Sequence, residues 1–177
     1  PERFFMEGVS EQSIIGLSAG LAMEGFKPYV NTIATFITRR CFEQVAIDLC
    51  LHKLPVKLIG NGAGLVYAPL GPTHQAIEDI SIMRTLPNMT IIAPCDSVEM
   101  RELVKQSVNH KYPMYIRLAK GGDKIVTTNS ENIKLGKGIL KIQPNEHLFI
   151  TTGVMTQLAI EASKRLDKEM NIKCGVI

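Results

Sequence analysis

The chain has 177 residues, 45% hydrophobic and 21% charged, which suits one sizeable core or one domain with part of a second and excludes a disordered chain. Twenty Lys and Arg against 17 Asp and Glu leave a net charge of +3. No basic stripe or basic-aromatic interleaving accompanies that charge, so neither nucleic acid nor a charged membrane surface is indicated as a partner. No apolar run approaches the ~20 residues of a spanning helix, and the opening residues carry no signal-peptide pattern. Cys41, Cys50, Cys95 and Cys174 lack CxxC or Cys/His ligand spacing. They read as buried thiols of a cytoplasmic protein, neither a disulfide frame nor a metal site.

Elements follow in alternation. Ser10 stands as a helix N-cap before Ile14, Leu17, Ser18, Leu21 and Ala22, which recur at helical spacing until Gly25. Pro28 to Val30 reads as a strand leading into Thr32–Ile37. Arg40 to Leu51 is a second helix with Phe42, Val45, Ala46 and Leu49 on one face. Val56–Ile59 is a short buried strand, and a glycine-containing loop from Asn61 to Thr73 follows it. A helix over Ile77–Met83, a strand over Met89–Ala93, a helix over Ser97–Val108 capped by Ser97, and a strand over Met114–Leu118 come next.

The polar stretch from Lys120 to Lys134 has no periodicity and reads as a linker. Beyond it, Ile139–Ile142, Leu148–Thr151, a helix over Met155–Met170 and Lys173–Ile177 start a second α/β unit. The fold class is therefore α/β, a mainly parallel sheet flanked by helices, followed by the beginning of a second α/β domain. The expected boundaries are 1–128, a linker at 129–133, and 134–177. The apolar run at Ile177 has the look of an unfinished strand, and the chain reads as a fragment of a longer polypeptide.

Ligands of parallel-sheet folds sit outside the carboxyl ends of the strands, and three segments of unusual chemistry fall at such ends. Glu11 opens a helix, where an acid favours the helix dipole whatever else it does. His74 and Gln75 follow a loop shaped by Gly62, Gly64, Pro69, Gly71 and Pro72. They serve either a site or the next helix's cap. Arg117-Leu-Ala-Lys120-Gly-Gly is either a phosphate-holding turn or an ordinary strand exit.

Taken together these segments form a recognisable set. Gly-Val-Ser-Glu11-Gln12 with Ala-Gly-Leu-Ala at 19–22, Thr35-Phe36, Gly-Pro-Thr-His74-Gln75-Ala-Ile-Glu-Asp and Leu-Pro-Asn-Met at 86–89 resemble transketolase. More broadly they resemble thiamine diphosphate enzymes of the transketolase and 1-deoxy-D-xylulose-5-phosphate synthase group. The resemblance implies the pyrimidine-binding domain of the thiamine diphosphate-binding fold, lacking its N-terminal portion, then the start of a C-terminal domain.

What the resemblance implies can be assigned residue by residue. Glu11 matches the glutamate that hydrogen-bonds the cofactor's aminopyrimidine, and Phe36 and Phe42 match aromatics near that ring. His74 matches a catalytic, substrate-channel histidine. Lys120 aligns with an arginine that binds substrate phosphate, keeping its charge without the bidentate fork. Arg39 or Arg40 corresponds to a substrate-side arginine, at a spacing that differs by one residue, and Arg39 is taken for that role. The family's Mg²⁺ motif has no counterpart, since Gly122-Asp123 is followed by Lys124. The metal ligands are therefore expected on another domain or chain, with no metal residue here.

The implied function is two-carbon ketol transfer between sugars or sugar phosphates. It would be carried out with thiamine diphosphate and Mg²⁺ by a homodimer or heterotetramer that includes a diphosphate-binding domain or subunit. Isolated, the fragment is expected to be inactive. Leu70 stands where transketolases carry an aspartate that selects hydroxyl configuration, which argues against ordinary pentose phosphates. The alternatives are a 1-deoxy-D-xylulose-5-phosphate synthase, a 2-oxo-acid dehydrogenase beta subunit, and a non-catalytic assembly domain of the same fold.

Overall fold

A computed structural model describes residues 2–128 and 132–177. Its chain falls into two units, Pro1–Ile92 with Asn109–Lys120, and Ala93–Val108 with Gly121–Ile177. Part of the expected linker, 129–131, lies outside the described residues.

The first unit is built on four parallel strands in the order β1 (Tyr29–Ile33), β2 (Lys57–Asn61), β4 (Met114–Arg117) and β3 (Thr90–Ile92). Register pairs Val30 with Leu58, Leu58 with Tyr115, and Ile91 with Tyr115. Parallel strands need crossovers, and the helices supply them. Helix α1 (Glu11–Met23) precedes β1, while α2 (Ala34–Thr38) and α3 (Phe42–Gln44) connect it to β2. α4 (Asp79–Arg84) precedes β3, and α5 (Ser97–Ser107) connects β3 to β4.

Ile15, Ala19 and Ala22 of α1 join Val30, Ile37, Val45, Leu49, Leu58, Met83 and Tyr115 in one buried cluster. Burial of this kind contributes ~25 cal/mol per Å² and is the main force holding sheet to helices.

Several sequence expectations need correction. Ser10 does precede α1, but its hydroxyl donates to the Glu7 carbonyl at 2.6 Å and caps nothing. The β-branched run 32–37 does not continue as strand. It turns helical at Ala34, where burying Ala34 and Ile37 outweighs β propensity, and Thr38 Oγ1 donates back to the Ala34 carbonyl at 2.7 Å. The second helix is wider than expected, passing after Gln44 into a π-helical stretch over Val45–Leu51. Such a bulge keeps Val45 and Leu49 both fully buried.

In the second unit, β5 (His147–Phe149) and β6 (Cys174–Val176) pair in parallel, and α6 (Met155–Met170) connects them. Ser163 Oγ donates to the Cys174 carbonyl at 2.6 Å, fixing α6 on β6. Residues 139–142 form no named strand, only a single bridge from Ile142 to Val176. Asp96, not Ser97, caps α5. Its Oδ1 accepts from the Val98 and Glu99 amides and its Oδ2 from those of Val126 and Thr127, at 2.7–3.0 Å. Burial works against the charge, yet the amide donors prevail and hold the carboxyl below its ordinary range.

All four cysteines are free and buried. Burial pushes the Cys41 thiol up to about 12, with Glu11 adding to the rise. No helix among the described residues is long and apolar enough to cross a membrane.

Candidate active site

The carboxyl ends of β1, β2 and β4 carry the site. β1 runs straight into α2, which places Phe36 just past the strand end. Glu11 starts α1 and is only 5% exposed, though it is charged and sits at a helix terminus. A buried carboxylate needs a partner. Here Arg40 supplies it, with Nη1 at 2.8 Å from Glu11 Oε2. The same guanidinium lies over the Phe36 ring, 3.9 Å from its centroid. Gln12 Nε2 donates to the Arg40 carbonyl at 3.0 Å, so the residue after the glutamate steadies the arginine's backbone.

β2 ends at Asn61, and the chain then enters the glycine loop. Gly62 has φ +71°, and a Cβ there would run into the Tyr67 ring, so only glycine suits the turn. The Gly64 and Ala76 backbones hydrogen-bond each other reciprocally at 2.8 and 3.0 Å, closing the loop at its base. At its far side His74 meets Phe36 edge-on, with ring centroids 5.1 Å apart, and its Nδ1 lies 2.9 Å from Thr73 Oγ1. Leu70 ends a 3-10 turn over Ala68–Leu70 and is exposed.

Past β4, the Leu118 and Ala119 carbonyls accept from the Ala63 and Gly62 amides at 3.0 and 3.2 Å. That pairing carries exposed Lys120 beyond the start of the glycine loop.

Arg40 thus joins Glu11 to Phe36, and the Phe36 ring in turn meets His74. Phe42 is half-buried and packs against the core cluster. Of the two adjacent arginines, Arg40 meets Glu11, whereas Arg39 turns to the histidine loop. One buried group escaped the sequence reading. Asp79, 1% exposed, accepts from Tyr115 Oη at 2.7 Å and from Arg117 Nε at 2.8 Å, while its Oδ1 has no partner among the described residues. Its signal, the acid closing the His-Gln-Ala-Ile-Glu-Asp run, is in the sequence. Its partners across the sheet are not.

A buried carboxylate beside a half-buried aromatic ring suits a flat heterocycle that carries a hydrogen-bonding nitrogen, which would share both groups with the Arg40 guanidinium. The Thr35 hydroxyl, buried and without a partner among the described residues, is a further polar atom next to Phe36 in the chain. Among the described residues no three His, Cys, Asp or Glu side chains are grouped as metal ligands.

This arrangement is an α/β domain with a cluster of buried polar and aromatic side chains beyond its strand ends. Residues 1–122 match the family described as the transketolase pyrimidine binding domain, and the chain belongs to that family. A transketolase family protein of Sinorhizobium fredii is 37% identical over all of this chain and 51% of its own length. The 1-deoxy-D-xylulose-5-phosphate synthase of Dictyoglomus turgidum is 41% identical over 96% of this chain and 27% of its own. A solved split-gene transketolase, described as an inactive beta4 tetramer, superposes with a TM-score of 0.89 at 36% identity, over 99% of this chain and 56% of that one. The chain therefore spans from about a quarter to about half the length of these relatives. Membership of the family implies dependence on thiamine diphosphate.

Proposed function

We propose that this chain supplies the pyrimidine side of a thiamine diphosphate-dependent transferase that moves a two-carbon ketol unit between sugar or sugar-phosphate substrates. Residues 1–128 would belong to that domain and 134–177 to a C-terminal domain. The observation that carries the reading is the buried Glu11 carboxylate grouped with Phe36 and His74 beyond the parallel strands.

When bound, thiamine diphosphate supplies a carbon nucleophile and an electron sink for the transferred unit. Glu11 would hold a proton between its carboxylate and the aminopyrimidine nitrogen, and its burial excludes water from that bond. Phe36 would pack against the ring and fix its orientation. His74, whose Nδ1 lies against Thr73, would present its other ring nitrogen to the sugar's oxygens and take or return a proton there. Lys120 would meet a substrate phosphate as a point charge. Mg²⁺ and the diphosphate would be held by a separate domain or subunit in a homodimer or heterotetramer of the cytoplasm. The split-gene transketolase relative supports such a division. Isolated, the chain would be inactive.

A second reading is the 1-deoxy-D-xylulose-5-phosphate synthase, favoured by the 41% identity to the Dictyoglomus turgidum enzyme. Product analysis of the assembled enzyme separates the two. Ketose-to-aldose transfer without CO₂ marks transketolase chemistry, and CO₂ released from pyruvate with glyceraldehyde phosphate marks the synthase. No turnover by an assembled complex would overturn both.

A further inference from the structure

The loop that carries His74 has little regular structure of its own, yet a catalytic ring must be held to within ~0.5 Å. What holds it is a pair of arginines, one at the end of α2 and one at the end of β4. Arg39 Nη2 faces three carbonyls of the loop, those of Pro72 at 3.2 Å, Thr73 at 3.4 Å and Gln75 at 3.3 Å. Its Nε is 3.0 Å from Glu78 Oε1, just past the loop. Arg117 Nη2 donates to the Ala76 carbonyl at 3.3 Å, and its Nε is fixed at 2.8 Å on buried Asp79, which Tyr115 also holds.

The carbonyls on both sides of His74 are thus tied to guanidinium groups. The Phe36 ring, three residues before Arg39, bounds the imidazole edge-on. A planar guanidinium with five donors in a fixed fork suits one carboxylate and several carbonyls at once, a geometry the compact lysine ammonium does not reproduce. Arg39 is half-exposed, and a solvent-exposed ion pair with Glu78 would by itself be worth little. Its convergence on three carbonyls gives it a geometric task.

We propose that Arg39 and Arg117 are positioning residues that clamp the 72–78 segment and thereby fix the His74 imidazole for substrate, with Arg39 acting through the loop and not by touching substrate. The inference rests on the reading of His74 as a substrate-channel residue.

A double-mutant cycle in the assembled enzyme tests it. Arg39→Met should lower kcat/KM at least tenfold through kcat. In a His74→Ala background the same change should cost less than about twofold, because nothing remains to position. Arg39→Lys should recover little. The affinity for thiamine diphosphate should stay within about twofold of the parent in every variant, since Glu11 and Phe36 are held by Arg40.

Independently of turnover, the His74 ring ¹⁵N shifts should move or broaden in both Arg39→Met and Arg39→Lys, and the second variant covers any loss of folding in the first. Equal losses with and without His74, or unchanged ring shifts and kcat, would overturn the clamp. If His74→Ala itself leaves turnover intact, the substrate reading fails, and the ring shifts still decide whether Arg39 holds the loop.

Discussion

Replacing Tyr115 by Phe removes one oxygen from the middle of the sheet and leaves the ring in place. Tyr115 is fully buried, and its hydroxyl donates at 2.7 Å to Asp79, which is 1% exposed and whose Oδ1 already has no partner among the described residues. Burial, with the charge of Asp79 behind it, pushes the phenol's pKa up, so it remains a donor at every ordinary pH. A hydrogen bond to a charged group contributes roughly 1.5–3 kcal/mol, and its loss leaves Asp79 with Arg117 alone. Shedding a buried hydroxyl offsets only part of this, so a net loss of about 2 kcal/mol is expected. In a chain of this size that lowers Tm by roughly 4–8 °C. Urea unfolding of Tyr115→Phe against the parent should show the midpoint falling with an unchanged slope. A loss below about 0.5 kcal/mol would refute the view that the Asp79 cluster depends on this bond.

Other outcomes follow from the same structure. Gly60→Ala would set a Cβ 2.7 Å from the Tyr115 ring and 3.1 Å from the Ala34 backbone, so its cost by thermal unfolding should be about 1–3 kcal/mol. Lys57 is fully buried, and burial, aided by Lys27, pushes its pKa from 10.5 down to about 8. Between those values the unfolded chain binds the extra proton, so stability should rise with pH from about 8 to 10.5. The slope should reach at most ~1.4 kcal/mol per pH unit and vanish in Lys57→Met. Denaturant titrations with equal slopes for both proteins would refute this. Leu70→Asp should shift preference toward sugars bearing a hydroxyl at the selected carbon by about tenfold in kcat/KM, and identical substrate profiles would refute its role.

Much of the fold is legible because its signals are local. The helix over Met155–Met170 matches its expected limits, since its periodicity is uninterrupted and Asn171 closes it in a left-handed conformation at φ 55°. The segment at 32–37 misleads because burial at the strand end decides its geometry, not propensity. Ser97 misleads as a cap because Asp96, one residue earlier, can satisfy amides on both sides, two of them about thirty residues away.

At the site, Glu11, Phe36 and His74 can be picked out because the motifs around them resemble those of the transketolase family; the position of each along the chain does not single it out. The division of labour between Arg39 and Arg40 cannot be read that way. Adjacent residues on a helical turn point about 100° apart, and which one meets Glu11 depends on how α1 and α2 are set on the sheet. Tyr115 and Arg117 reach Asp79 across 36 and 38 residues, a pairing no local pattern records.

The central claim is that Glu11 activates a bound thiamine diphosphate. Calorimetry of the cofactor with Mg²⁺, on the protein assembled with its diphosphate-binding partner, should give saturable binding in the parent. Glu11→Gln, which keeps size and loses charge, should lower turnover at least a hundredfold in the same preparation. Absence of binding by a correctly assembled complex, or full turnover by Glu11→Gln, would contradict the account.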